Sequence, residues 1–344
     1  MKNQLPEDMG TGPTDVEFRD DLSIVIPTYG RETVMVNTLS ALLSQRVQAR
    51  EIILVDQTLE HDAATWQALS EWMQSGQVRR IHFSPPSIPR AMNIGLLQAV
   101  TPYVLFLDDD IVPGDELIAA HLAARLDIAG DDVWCVVGQV LQPGEVPIDP
   151  ATWTHRWFPF HGNQRQLARD VMAGNLCVDR KCALKVGGFD ENFVGSAFGF
   201  ESEFARRILS AGGKILFEPN AGIRHLRASR GGTRSYGHHL TTWRPHHAVG
   251  IYYSAFRRGW WPTLKTLAIQ PLRSIRTKHH LRAPWWIPVT LFAEALGAVW
   301  AMVLASKGPK FISSAVANEV MSFGKQVSKA PEIAPVDPKV KRDD

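Results

Sequence analysis

The chain is 344 residues long, 45% hydrophobic and 21% charged, which excludes a largely disordered protein and allows one to three domains around a substantial core. Its three cysteines, Cys135, Cys177 and Cys182, match neither a zinc nor a disulfide framework and fit a reducing compartment. The net charge of +2 hides a split: Pro219 to Ala293 holds no Asp or Glu but 12 Lys+Arg and 7 His. The remainder is acidic, near −10. The basic stretch is expected to attract an anionic surface, an anionic ligand or nucleic acid.

Met1 to Asp20 is acidic and lacks an apolar core, so a disordered tail without a cleavable secretory signal is expected there. Leu22 to Ile26 reads as a buried strand that stops at Pro27, and Val34 to Gln45 has helical apolar spacing. Glu51 to Val55 is the next strand and Ala63 to Met73 the next helix. Arg79 to Phe83 and Tyr103 to Leu107 are strands separated by a helix over Ala91 to Ala99. Apolar strands alternating with helices predict a parallel sheet covered on both faces, with ligands beyond the carboxyl ends of the strands. Pro27-Thr28-Tyr29, Asp56 and Asp108-Asp109-Asp110 sit at those ends and should converge on one crevice.

Further on, Trp134 to Val140 and Lys214 to Phe217 read as strands. Glu201 to Ala211 reads as a helix stopped by Gly212-Gly213. Beyond about residue 235 the chain is rich in Arg, His and Trp, with six of the eleven tryptophans between Trp243 and Trp300. Ile287 to Ser306 approaches the length of a membrane span, but Glu294 near its middle favours an interfacial or re-entrant helix. The expected division is a disordered tail over 1–20, a catalytic domain over 21–235, a basic membrane-associated helical region over 236–323 and a second disordered tail over 324–344. No nucleic-acid-binding module is visible in the basic region.

Three adjacent carboxylates after an apolar strand repel one another, and a divalent cation bridging to phosphate is the simplest compensation. On an extended backbone Asp108 and Asp110 share a face while Asp109 points away. At the start of the 201–211 helix, Glu201 and Glu203 lie two residues apart and face different directions, so one of them at most can serve as a base.

These motifs resemble family 2 glycosyltransferases of the GT-A fold. The resemblance rests on Leu22 to Arg31, Asp56, Arg90 to Asn93, Leu107 to Pro113, Gly187-Gly188-Phe189-Asp190-Glu191 and Glu201 to Arg207, and runs from about Leu22 to Arg227. It implies an α/β, Rossmann-like, mostly parallel sheet flanked by helices, here with a basic, Trp-rich helical C-terminal extension. It also implies a bacterial polysaccharide- or glycolipid-assembly role, a nucleotide-diphospho-sugar donor and Mn²⁺ or Mg²⁺. By that likeness Pro27, Thr28, Tyr29, Arg31, Asp56, Arg90, Asn93, Asp108 and Asp109 would bind the nucleotide. Asp108, Asp110 and His225 would hold the metal. Glu201 would be the base of an inverting, single-displacement transfer, with Phe200 where the family has another acid. Gly174, Asn175, Glu203, Arg227, Arg230 and Arg234 would lie on the acceptor and diphosphate side, and the glycine pair 187–188 would shape that side. Asp56-Gln57-Thr58-Leu59 departs from the family's usual sequence there and leaves the base open.

The Trp, Tyr and Arg clusters from Tyr252-Tyr253 to Trp285-Trp286 predict attachment to an anionic membrane, at the cytoplasmic face of the plasma membrane, and a lipid-linked or other glycan acceptor. Two alternatives stand beside this reading: a nucleotidyltransferase on a similar sheet, and a non-catalytic membrane polysaccharide-assembly component.

Overall fold

A computed structural model describes residues 17–126, 132–155 and 157–327. The elements of the first half are β1 (Glu17–Thr28), α1 (Thr33–Leu43), β2 (Val47–Asp56), α2 (Ala63–Gln74), β3 (Val78–His82), α3 (Ile88–Gln98), β4 (Tyr103–Leu107), β5 (Ile111–Pro113) and α4 (Leu117–Leu126). Then come β6 (Val133–Leu141), β7 (Gln166–Ala168), β8 (Asn175–Asp179), α5 (Arg180–Lys185), α6 (Phe200–Ser210) and β9 (Lys214–His225). The last third is helical: α7 (Val249–Arg257), α8 (Trp260–Ile275), α9 (Lys278–Arg282), α10 (Ile287–Ser306) and α11 (Ser314–Val327).

One nine-stranded sheet runs β3-β2-β1-β4-β8-β6-β9-β5, with β7 alongside β9. The β3-β2-β1-β4 half is parallel, as the βα alternation requires. β8 enters antiparallel between β4 and β6, which makes the other half mixed. Leu22, Ile24, Val25 and Ile26 of β1 are fully buried because helices cover both faces. α3 lies close enough to β1 that a side chain at Gly95 would collide with Val25. The arrangement is the GT-A-like α/β sheet with a helical C-terminal region.

Three expectations change. β1 begins at Glu17, inside the expected N-terminal tail, and α11 runs to Val327, inside the C-terminal one. The rest of both tails, 1–16 and 328–344, lies outside the described residues. The strand expected to end at Phe217 does not end there: β9 bulges between the pairs Gly138–Glu218 and Val140–Ile223 and continues to His225.

The helical region shares the sheet's core. Ala248, Val249, Tyr252, Tyr253, Ala301 and Ala317 belong to one buried cluster with Val25, Phe106, Phe189 and Phe204. Tyr252 and Tyr253, expected as interfacial aromatics, are buried instead. Tyr253 donates to Asp190 at 2.7 Å and Tyr252 to Glu294 at 2.7 Å. α10 is largely apolar, with mean hydropathy 1.8 over an 18-residue window, and is long enough to cross a membrane. It buries Thr290, Ala293, Glu294, Gly297 and Ala301, a helical stripe that packs on α7. Leu291, Phe292, Val299, Met302 and Val303 remain exposed.

Candidate active site

A cleft of about 1060 Å³ opens beyond the carboxyl ends of β1 and β4. It gathers Pro27, Thr28, Tyr29, Arg31, Asp108, Asp109, Asp110, Gly174, Glu201, His225, Arg227 and Arg234 from the residues that the sequence singled out.

The acidic triplet splits as its extended backbone requires. Asp109 turns inward, accepting from Thr28 Oγ1 at 2.7 Å and pairing with Arg31 Nε at 3.3 Å. Asp108 and Asp110 face His225, whose Nε2 lies 3.7 Å from the first and 3.2 Å from the second. One ligand atom from each of the three lies within 4.8 Å of the others. Two like-charged carboxylates and an imidazole around one point fit a small divalent cation with mixed oxygen and nitrogen ligands. His225 Nδ1 meets Gln142 Oε1 at 3.0 Å. The amide oxygen can only accept, so that bond keeps a proton on Nδ1, and Nε2, which faces Asp110 here, is the nitrogen that would turn its lone pair to a cation.

The electrostatics follow burial. Desolvation raises the Asp108 carboxyl, against the pull of His225. Asp109 is pushed up to about 7 by burial, despite Arg31 and Thr28. Burial also pushes Asp110 up, but the hydrogen bond and charge of His225 and the Ala228 N–H outweigh it and hold Asp110 below its ordinary value. The Asp110 hydrogen bond correspondingly raises His225. Gly174 is required beside this cluster, because any Cβ there would enter the Asp108 carboxylate.

Glu201 sits in the first turn of α6, but a segment outside that helix holds it. Its Oε1 accepts from the Ala173 N–H at 2.6 Å rather than from the helix's own N–H groups. Burial raises its pKa to about 8; Ala173 opposes the rise, while Asp108 and Asp170 add to it. Glu203 points the other way and is buried against Arg207, 2.7 Å away. Phe200 packs edge-on to Phe189, centroids 5.8 Å apart.

Several expected contacts are not brought to the cleft. Asp56 is fully buried, and its carboxylate is saturated by the Thr58 N–H, His61 and Arg80 at 2.8, 2.9 and 2.7 Å. Arg90 lies exposed over Phe83. Asn93 bridges α3 to the 187–191 loop through both backbone groups of Phe189. Asn175 is buried among His121, Gln139 O and Ala221 O. Glu203 is a structural ion-pair partner. Arg230 is exposed, and its carbonyl accepts from Arg31. The 187–191 loop is likewise structural: Asp190 accepts from the N–H groups of Asn192 and Lys310 and from Tyr253.

Two contributors escaped sequence reading. Gln142 orients His225 and also accepts from Arg227 Nε at 2.9 Å. Gln57 lines the cleft and ties Thr28 O to the Ser87 N–H. Gln142 sits in no local pattern, and Gln57 is read from sequence only as part of the divergent Asp56-Gln57-Thr58-Leu59 stretch.

Residues 23–184 match the family model for glycosyl transferase family 2. The mannosyltransferase PcManGT from Pyrobaculum calidifontis, solved with GDP-Man and Mn²⁺, has TM-score 0.50 at 17% identity, over 92% of this chain and 84% of that one. GalNAc-T7, solved with UDP, GalNAc and Mn²⁺, has TM-score 0.49 at 16% identity, over 70% of this chain and 51% of that one. The chain thus spans about half the length of GalNAc-T7. No curated protein matches the sequence. Residues 23–184 thus resemble family 2 glycosyltransferases on a GT-A-like sheet, and the protein is a glycosyltransferase.

Proposed function

We propose that this protein is an inverting, metal-dependent glycosyltransferase that moves a sugar from a nucleotide-diphospho-sugar to a hydroxyl of a lipid-linked or other membrane-proximal glycan, in bacterial polysaccharide or glycolipid assembly. The observation that carries this reading is Glu201 facing the same cleft as the Asp108–Asp110–His225 cluster. Asp108, Asp110 and His225 would hold Mn²⁺ or Mg²⁺, which supplies charge stabilisation to a departing diphosphate. Tyr29, Arg31, Gln57 and the 227–234 loop line the donor side, and Arg227 and Arg234 reach the cleft as diphosphate partners.

Glu201 accepts the proton of the acceptor hydroxyl as that oxygen bonds to the anomeric carbon. The bond from that carbon to the diphosphate oxygen breaks in the same displacement, and a nucleoside diphosphate leaves. A carboxylate raised to about 8 is matched to general-base work near neutral pH. Among the described residues of the cleft the other carboxylates are Asp108 and Asp110 of the cation cluster and Asp109, which is held by Thr28 and Arg31; this supports the single displacement. Glu201→Gln is expected to lower transfer by roughly 10²–10⁴-fold, with nucleotide binding in the presence of Mn²⁺ unchanged in a thermal-shift titration. Near-normal turnover of that variant would remove Glu201 as the base.

The same reading places the protein at the cytoplasmic face of an anionic membrane. α8 buries none of its residues and exposes Trp260, Trp261, Leu264, Leu267 and Leu272 beside Arg257 and Arg258. The outer face of α10 adds Phe292, Met302 and Val303. Interfacial aromatics with flanking cations support a peripheral attachment. The protein should co-sediment with phosphatidylserine-containing vesicles and release as salt rises, each lost cation weakening attachment by about 1 kcal/mol. Equal recovery with and without vesicles at low salt would contradict attachment.

A further inference from the structure

A second cavity, of about 460 Å³, lies between α7, α8, α10 and the loop that follows β9. Its volume suits a small-molecule ligand. Ser196, His239 and His247 line both this cavity and the cleft, so the two spaces are neighbours across those three residues. Phe198, Leu240, Ile251 and Ala293 give it an apolar wall.

Two guanidinium side chains also line it, Arg244 from the loop and Arg273 from α8. Among the described residues neither has an acidic partner, although arginines elsewhere in the fold are paired. Glu294 is the one acid of the lining, and both its oxygens are engaged, by Tyr252 at 2.7 Å and by Gln270 at 3.4 Å. An apolar wall with two unpaired guanidiniums at its open side favours a ligand that is anionic at one point and hydrocarbon at another. Elsewhere on α8, Leu264, Leu267 and Leu272 are exposed.

We propose that this cavity is the acceptor subsite and that it takes a phosphate-bearing amphiphile, with the phosphate on Arg244 and Arg273 and the hydrocarbon along Leu240, Ile251 and Ala293. The acceptor hydroxyl then reaches Glu201 past His239 and His247. The assignment of this ligand as acceptor rests on the transferase reading of the cleft; the ligand class rests on the cavity alone.

The test is titration calorimetry of the full chain with dodecyl phosphate below its micelle concentration. The comparison ligands are inorganic phosphate and dodecyl maltoside. Wild-type protein should bind dodecyl phosphate saturably, about tenfold or more tighter than either comparison ligand. The doubly substituted Arg244→Gln, Arg273→Gln protein should lose about tenfold or more in that affinity. Both arginines are exposed, so the substitutions leave the core intact, and Mn²⁺-dependent nucleotide binding should be unchanged. Equal binding by the variant overturns the proposal. So does inorganic phosphate binding as tightly as dodecyl phosphate, which marks an anion site alone, or dodecyl maltoside doing so, which marks an apolar site alone. If no nucleotide binds but dodecyl phosphate still depends on the arginines, the transferase reading falls and the ligand class stands.

Discussion

Carboxylates meet opposite surroundings at the two ends of this molecule. Asp190 and Glu294, where the helical region packs on the sheet, are each buried and each capped by a tyrosine hydroxyl at 2.7 Å. Asp108 and Asp110, at the end of β4, face each other and a histidine, and the Asp108 side chain is half exposed to the cleft. The first pair spends its charge on holding helices in place, since a buried acceptor without a partner is costly. The second brings two carboxylates and a histidine to one point on the cleft, where a cation and a diphosphate could complete the site. Convergence of like charges on one point of the cleft, rather than residue type, separates the functional acids from the structural ones.

The sharpest way to break that comparison is to remove one acid of the open cluster. Asp110→Ala should reduce transfer by on the order of 10³-fold, because a metal at such a site contributes several kcal/mol to charge stabilisation. Mn²⁺-dependent nucleotide binding should vanish with it, and chelation of wild-type protein should give the same loss. Melting of the metal-free protein should move little, since the substitution relieves repulsion as well as removing contacts. A fall in melting temperature equal to that of a core substitution would place Asp110 among the structural acids.

The next largest effect belongs to the buried end. Tyr253→Phe removes one of the three donors to Asp190 and leaves a fully buried carboxylate oxygen without its partner. A loss of about 1–3 kcal/mol in unfolding free energy is expected, with KM and kcat for transfer unchanged once the protein is folded. Denaturant titration measures the first and steady-state kinetics the second.

The same distinction explains what the sequence could and could not tell. The parallel half of the sheet was legible because each strand is an apolar run and each helix is periodic, so β4 was located to the residue. The alternation of Asp108, Asp109 and Asp110 followed from strand geometry alone, and Asp109 does turn inward to Thr28. Asp56, Asn93 and Asn175 stand at the expected places in chain order, yet each spends its hydrogen-bonding capacity on the fold. Motif position sets where a side chain starts; long-range partners such as Arg80 or Phe189 set where it points, and those partners carry no local signal. Gln142 shows the converse. It lies 83 residues from the histidine it orients, in a loop with no pattern of its own. The C-terminal helices were legible as basic and aromatic, but periodicity within Tyr252-Tyr253 could not reveal that two adjacent tyrosines would each cap a different acid.

The smallest expected effect compares the two caps. Tyr252→Phe removes the short bond to Glu294, leaving Gln270 at 3.4 Å as a weaker donor. Burial already raises the Glu294 carboxyl, with Tyr252 and Gln270 opposing that rise. A carboxyl whose folded pKa lies above its unfolded value binds more protons when folded, so its contribution to stability is present in acid and is lost as pH rises through the folded pKa. Removing Tyr252 raises that pKa further and deepens the loss at high pH. Tyr252→Phe should therefore cost little below the ordinary carboxylate range, where Glu294 carries its own proton in both states, and about 1 kcal/mol near pH 8. Glu294→Gln, which never ionises, should remove the pH dependence, and adding Tyr252→Phe to it should cost the same at both pH values. Denaturant titrations of the two single variants and the double variant at about pH 3 and about pH 8 read this directly. A Tyr252→Phe penalty that is the same in acid and base would show that Glu294 does not titrate in this range, and that the tyrosine acts there as a packing group.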